Sequence, residues 1–279
     1  MRVDANELLA VSLRGSFNSA VSLLAIDVGN TNIVFGIFSG DVLRVNWRLA
    51  TLPSRTVDEL WVLVSRLIAE KGVPLDDIDG VVLSSVVPAL TTTISEMVKV
   101  GLNKNVFVVD ADNAGLPIRY EKPVEVGADR LVNSVAALQL FGQPPRPIVV
   151  VDFGTATTFD VISSSGEYCG GLICPGVDIS AEALFNRAAR LPMVSVKKPD
   201  TLIGRTTVSS MQSGLFYGYV AMVEGILDRL RRELQTDQGL WCVATGGLAS
   251  AVASETTRID KVCDELTLIG LRCVWEYNH

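Results

Sequence analysis

The sequence predicts an α/β protein built from two copies of one domain, and three observations carry that prediction. The stretch "AIDVGNTNIVFGIF" (25–38) and the stretch "VVDFGTATTFDVIS" (150–163) both run apolar strand, Asp-x-Gly, polar turn, second apolar strand. Asp27 and Asp152, and likewise Gly29 and Gly154, stand at one common offset of 125 residues. Each hairpin is followed by a third strand, then by helices alternating with continuous apolar strands, the pattern of a sheet covered on both faces.

In the first half, Leu23–Asp27 and Ile33–Phe38 read as strands, and "SGD" (39–41) turns into a third strand, Val42–Leu49. Thr56 and Glu59 form a Thr-x-x-Glu capping box ahead of a helix whose apolar positions are Leu60, Val64, Leu67 and Ile68. Gly72 and Pro74 stop it. A continuous apolar strand, Gly80–Val87, a helix over 89–101 and a strand at Val106–Asp110 follow. A long loop, "ADNAGLPIRYEKPVEVGA", then leads to a helix from Asp129 to Phe141.

"GQPPRP" (142–147) holds three prolines in six residues and reads as a linker. The programme then restarts. Ile148–Phe153, Thr157–Ser163 and Glu167–Cys174 read as strands, with helices over 178–190 and 208–234. Trp241–Thr245 is a buried strand that runs into Gly246–Gly247 and a further helix. The expected domains are therefore 23–142 and 147–279, preceded by an extension, 1–22, that carries no apolar periodicity and is expected to be dispensable.

Composition excludes several classes of function. The chain has 279 residues, is 48% hydrophobic and 20% charged, and carries a net charge of -7, which disfavours nucleic acid and anionic membrane as partners. Its 22-residue start has acids too early and an apolar run too short for a signal peptide, and no stretch approaches a membrane span. The single histidine is His279, which removes His-based triads and His-rich metal sites. The five cysteines, Cys169, Cys174, Cys242, Cys263 and Cys273, form no CxxC and are expected to be ordinary buried thiols in a reducing, cytoplasmic setting.

The paired hairpins point to phosphate. Glycine lets backbone turn tightly and approach a ligand. The N–H groups beyond it, with the hydroxyls of Thr31, Thr155 and Thr157, suit phosphate oxygens, and an Asp supplies a hard oxygen to Mg²⁺. One such hairpin is an ordinary turn. Two at matching places, with the glycine pair at 246–247 for the adenosine side, predict a nucleotide cleft between the domains. Asp129 at a helix start reads first as a cap, with a pKa depressed by the helix dipole. Gly214 and Gly218, four apart on the 208–234 helix, permit close helix contact, either inside the chain or with a second copy.

The motifs "AIDVGNTN", "PIRYEKPVEVGADRLVN", "VVDFGTATTFDV", "GGLICPGVDISAEALF", "IGRTTVSSMQSGLFYGY" and "ATGGLA", in this order, resemble those of the type III pantothenate kinases over about Leu23 to Trp275. The resemblance implies two duplicated ribonuclease-H-like domains of the actin-like ATPase superfamily. It implies phosphorylation of pantothenate by ATP, opening coenzyme A synthesis, in a homodimer that uses Mg²⁺ and a monovalent cation (K⁺ or NH₄⁺). It assigns Asp27, Gly29, Asn30, Thr31 and Asn32, then Gly154, Thr155 and Thr157, and Gly246 and Gly247 to ATP. It assigns Asp27 and Asp152 to metal, and Asp129 to the catalytic base. Tyr120, Gly127, Ala128, Asp129, Arg130 and Thr207 fall to pantothenate. Two departures stand out: Thr206–Thr207 where the family often has Asn-Thr, and "DNAGL" (112–116) in place of Lys-Thr-Gly-Leu. The same scaffold also admits a non-catalytic ATP-binding protein or a phosphatase.

Overall fold

The computed structural model describes residues 22–188, 190–235 and 239–279. All of the expected extension except Ser22 lies outside the described residues. Two compact units emerge: one holds the described chain up to Gln139 together with Leu266–His279, the other Leu140–Glu265.

The first unit is a five-stranded sheet. Its strands are β1 (Ser22–Val28), β2 (Asn32–Ser39), β3 (Val42–Ala50), β4 (Ile78–Ser85) and β5 (Val106–Val108), in the order β3-β2-β1-β4-β5. The β1–β2 and β2–β3 pairs are antiparallel, and β1–β4 and β4–β5 are parallel. Helices α1 (Val57–Glu70) and α2 (Pro88–Leu102) cover one face. Leu24, Ile26 and Val28 alternate toward them and pack with Leu60, Val64, Ile68, Leu90, Ile94 and Met97. The capping box at α1 forms as expected: Glu59 N–H donates to the Thr56 hydroxyl and Thr56 N–H to the Glu59 carboxylate. Helix α3 (Ala128–Phe141) follows the long loop.

The second unit repeats the order. Its strands are β6 (Ile148–Phe153), β7 (Ala156–Ile162), β8 (Tyr168–Pro175), β9 (Trp241–Gly246) and β10 (Lys261–Val262), arranged β8-β7-β6-β9-β10. Helices α4 (Val177–Arg187) and α5 (Thr207–Leu234) lie between β8 and β9, and the short α6 (Ala249–Ala253) between β9 and β10. Val149, Val151, Phe159 and Val161 pack against Phe216, Tyr219, Val223 and Leu227 of α5.

One expected boundary fails. The closing helix α7 (Leu266–Asn278) follows the second sheet in sequence, yet belongs to the first unit. Two strand glycines explain how it lies so close to that sheet. A Cβ on Gly36 would sit 2.8 Å from Leu268, and one on Gly80 would sit 2.4 Å from Trp275. Gly270 of α7 likewise meets the Val132 carbonyl of α3, and the Thr267 hydroxyl donates to Asn133 Oδ1 at 2.8 Å. Segment 147–279 is therefore not one unit, and α3 crosses the other boundary. Nor is the proline-rich stretch loose: Trp241 N–H donates to Pro147 O at 3.0 Å, and the Arg146 guanidinium stacks 4.0 Å over the Trp241 ring.

Two further expectations need correction. Among the described residues, no atom outside the neighbouring turn of α5 comes within 4 Å of where a Cβ on Gly214 or Gly218 would lie, so these glycines do not serve packing among the described residues. Cys169 is exposed and Cys174, Cys263 and Cys273 are half-buried, so only Cys242 is buried as expected. Burial pushes the Cys242 thiol up to about 12 and the Cys273 thiol to about 11, which leaves both protonated and inert at neutral pH. No described helix is long and apolar enough to cross a membrane.

Candidate functional site

The first hairpin turns over Gly29–Asn32, where Gly29 N–H donates to Asn32 O at 3.0 Å. Thr51, just past β3, braces it: the Thr51 hydroxyl donates to Gly29 O at 2.7 Å and Thr51 N–H to Thr31 O at 2.9 Å. Asn30 and Thr31 are exposed at the tip and Asn32 is half-buried. Asp27 is half-buried at the end of β1, and its Oδ1 accepts a short hydrogen bond from the Ser84 hydroxyl on β4.

The Gly127–Arg130 segment lies by the exit of β4. Val86 N–H donates to Val28 O at 3.0 Å, which ties the exit of β4 to the exit of β1. A Cβ on Gly127 would lie 3.6 Å from the Val86 side chain and 2.5 Å from Asp129 Oδ1, so a side chain there would displace that carboxylate. Ala128 opens α3 and is buried, and Gly127 O accepts from Arg130 and Leu131 N–H, so Gly127 and not Asp129 holds the capping position. Asp129 Oδ1 accepts from Arg130 N–H at 2.8 Å. Even so, burial raises the Asp129 pKa above the ordinary carboxylate value, and the Arg130 N–H and guanidinium only partly oppose it. The sequence reading had this sign reversed, because the helix dipole is visible in sequence and desolvation is not. Arg130 is buried, at 8% exposure, whereas Tyr120 in the loop is exposed.

The departing loop segment is well anchored. Asp110 Oδ1 accepts from Asp112 and Asn113 N–H, Asn113 Nδ2 donates to Val108 O, and Asn278 of α7 donates to Asn113 O.

In the second unit, Gly154 N–H donates to Ala156 O at 3.1 Å, and Gly154 and Thr155 are exposed at the turn. Gly176, ahead of α4, packs so tightly on Thr155 that a Cβ there would lie 2.1 Å from Thr155 O. Asp152 is half-buried at the end of β6. Gly246 adopts φ +90°, and a Cβ on it would lie 2.7 Å from Asp152 Oδ1 and 2.6 Å from Phe153 O. Gly247 N–H donates to Phe153 O at 3.1 Å, and Gly247 itself is exposed with open space around it.

Thr157 does not join this group. It is 1% exposed, and its hydroxyl faces that of Tyr219 at 3.5 Å. The alternation along β7 sends Thr157 to the helix side with Phe159 and Val161, a signal present in the sequence. Thr207 is exposed at the start of α5 and lines an open cavity of about 890 Å³ with Gly204, Arg205, Thr206 and Gly214. The departing residue Thr206 caps α5, accepting from Ser209 N–H at 3.1 Å, a task for which Thr replaces Asn at small cost.

Sequence reasoning missed the hydroxyls beside the two acids. Ser84 and Thr245 end otherwise apolar strands, and that polar break after "GVVL" and "WCVA" was the available signal.

No cluster of three or more His, Cys, Asp or Glu side chains exists among the described residues. Each unit by itself presents one half-buried strand-end carboxylate, Asp27 in the first and Asp152 in the second.

The duplicated five-stranded units are those of the actin-like ATPase and sugar-kinase fold. A 2-dehydro-3-deoxygalactonokinase homologue described as putative, from Sinorhizobium meliloti, superposes with a TM-score of 0.55 at 13% identity, over 91% of this chain and 96% of its own. The ethanolamine utilization protein EutJ from Carboxydothermus hydrogenoformans gives 0.53 at 13%, over 98% and 100%. Both likenesses concern fold alone. The family model of type III pantothenate kinases matches residues 23–229. Proteins named type III pantothenate kinase from Moorella thermoacetica and Myxococcus xanthus are 50% and 49% identical, over 92% of this chain and 99% of theirs. The chain belongs to the type III pantothenate kinase family.

Proposed function

We propose that Asp129 is the group through which this kinase acts on its acceptor. The enzyme uses ATP to phosphorylate pantothenate to 4'-phosphopantothenate, the first step of coenzyme A biosynthesis. The acceptor hydroxyl oxygen bonds to the γ-phosphorus, the bond to the β,γ-bridging oxygen breaks, ADP departs, and Asp129 takes the hydroxyl proton. The observation that supports this role is the raised pKa of Asp129 at the start of α3, where neighbouring Gly127 faces Val86 at the exit of β4. A carboxylate with a raised pKa is a better base, and phosphoryl transfer depends mainly on orienting the hydroxyl.

Asp27 and Asp152 would hold Mg²⁺ and the monovalent cation, K⁺ or NH₄⁺, which when bound neutralise charge on the phosphates. Backbone at Gly29–Asn32 and Gly154–Thr155 is assigned to phosphate oxygens, and Gly246–Gly247 to the adenosine side. Arg130, with Tyr120, Gly127, Ala128 and Thr207, is assigned to pantothenate, the guanidinium pairing with its carboxylate. The enzyme is assigned to the cytoplasm, where ATP is at hand.

The open faces of Gly214 and Gly218 favour a homodimer through α5. Light scattering should give twice the chain mass at assay concentration, and a fully active monomer would exclude this assembly. The activity itself is tested by ADP release with and without pantothenate. Release that requires pantothenate is expected. ATP binding without turnover would favour a binding protein, and release independent of pantothenate a phosphatase.

A further inference from the structure

The second candidate acid is not the only feature that β1 shares with β6. In each sheet the strand-end acid has a buried hydroxyl residue as its register partner on the parallel neighbouring strand. Asp27 pairs with Ser84 across β1–β4, and Asp152 with Thr245 across β6–β9. Ser84 is 0% exposed and Thr245 is 2% exposed. The two sit 161 residues apart, each directly after a buried apolar run, Val81–Leu83 and Cys242–Ala244, so each is a buried polar break that packing alone has no use for.

The carboxylates also lean the same way. The Ser84 hydroxyl donates to Asp27 Oδ1, toward β4. Asp152 Oδ1 approaches the place of a Cβ on Gly246, toward β9. A hydrogen bond to an ionised carboxylate is about twice as strong as a neutral one, and it restricts the carboxylate's rotamer.

We propose that Ser84 is a positioning residue for the phosphoryl-transfer site: it locks the Asp27 carboxylate in the orientation that serves Mg²⁺ and phosphate, and Thr245 stands in the matching place beside Asp152. The inference rests on the assignment of Asp27 to Mg²⁺. Ser84 touches no substrate and acts through Asp27 alone.

The test is a double-mutant cycle of Ser84→Ala and Asp27→Asn, read by calorimetric ATP binding across a Mg²⁺ series and by melting temperature. Ser84→Ala should weaken Mg²⁺-dependent ATP binding by roughly 3–10-fold, a fraction of what a hydrogen bond to charge is worth. Binding without Mg²⁺ should stay unchanged. In the Asp27→Asn background the same substitution should have no further effect on binding. Ser84→Thr, which keeps the hydroxyl, should retain the Mg²⁺ dependence. Additive losses would overturn the inference, as would a lowered melting temperature with unaltered Mg²⁺ dependence. If Asp27→Asn itself binds ATP and Mg²⁺ like the parent, the metal assignment fails and takes the inference with it. If Asp27→Asn shows the loss and Ser84→Ala does not, only the inference fails.

Discussion

The two sheets share strand order, acid and turn, and they differ in what stands around the turn. In the first unit a threonine after β3 braces the hairpin from below, and β4 leads into a helix of 15 residues that starts at Pro88. In the second, Gly176 presses on the turn, and β9 leads into two glycines and a helix of only five residues. The first unit also carries a loop and helix start, Gly127–Arg130, whose Gly127 faces Val86 at the exit of β4. After β10 the corresponding helix is α7, whose second residue is Thr267 and not an acid. The two units therefore share the hairpin and differ at the flanks: the first has an acid as the second residue of the helix after its last strand, the second an open glycine backbone after β9.

The sharpest way to break this comparison is to remove the acid that has no counterpart. Asp129→Asn is expected to lower turnover by ~10²–10⁴-fold, the usual worth of a positioned acid–base group, with ATP affinity within a few-fold. Its pH behaviour adds a signature. Burial raises the folded pKa, so the folded state binds the proton more tightly than the unfolded chain does. The stability this contributes is complete below the ordinary carboxylate pKa and is lost as pH rises through the raised one. Asp129→Asn should therefore gain melting temperature relative to the parent as pH rises across that window. The acid limb of the parent's rate profile should disappear with it. Near-normal turnover would mean that the carboxylate only serves the helix start.

The paired acids come next. Asp27→Asn and Asp152→Asn should both lose activity and both alter the cation requirement, which Asp129→Asn should leave as it was. Rates across Mg²⁺ and K⁺ series distinguish the two roles: Asp27→Asn should shift the Mg²⁺ curve, Asp152→Asn the K⁺ curve. If both variants shift the same curve equally, the hairpins have not specialised.

How much of this was legible in the sequence follows from the range of the interactions. The hairpins were readable because strand, Asp-x-Gly and strand are local, and the capping box of α1 because its partners lie three residues apart. Ser84 was not, since its meaning depends on a parallel register with Asp27 across 57 residues. The placement of α7 was hidden for the same reason: its sequence is amphipathic, but nothing in it names the sheet it covers. The pKa of Asp129 was misjudged because the helix start is local and the burial is tertiary. The burial of Thr157 was legible too, since its alternation with Phe159 and Val161 puts it on the helix side of β7.

Gly246 tests the second unit's divergence. At φ +90°, with a Cβ landing on the Phe153 carbonyl and the Asp152 carboxylate, Gly246→Ala should cost roughly 1–3 kcal/mol of stability and displace the acid. Denaturant melts should show the loss, and the cation requirement should move as in Asp152→Asn. A variant as stable as the parent would mean that β9 ends with more room than this geometry leaves.

Its neighbour gives the smallest structural effect and so the cleanest reading. Gly247 has no positive φ, and among the described residues no atom beyond its chain neighbours lies within 4 Å of the place a Cβ would take. Its N–H bond to Phe153 O survives any side chain. Nothing inside the protein therefore requires glycine there, and Gly247→Ala should change stability by no more than about 0.5 kcal/mol. A glycine without an internal reason points outward, to a ligand that approaches the backbone. Gly247→Ala should then weaken ATP binding several-fold, measured by calorimetry, while the melting temperature of the ligand-free protein and the KM for pantothenate stay put. Unchanged ATP affinity would show that the nucleotide does not come near this turn. The open glycine pair would then be an ordinary strand exit, and the second unit would keep only its hairpin for the phosphates.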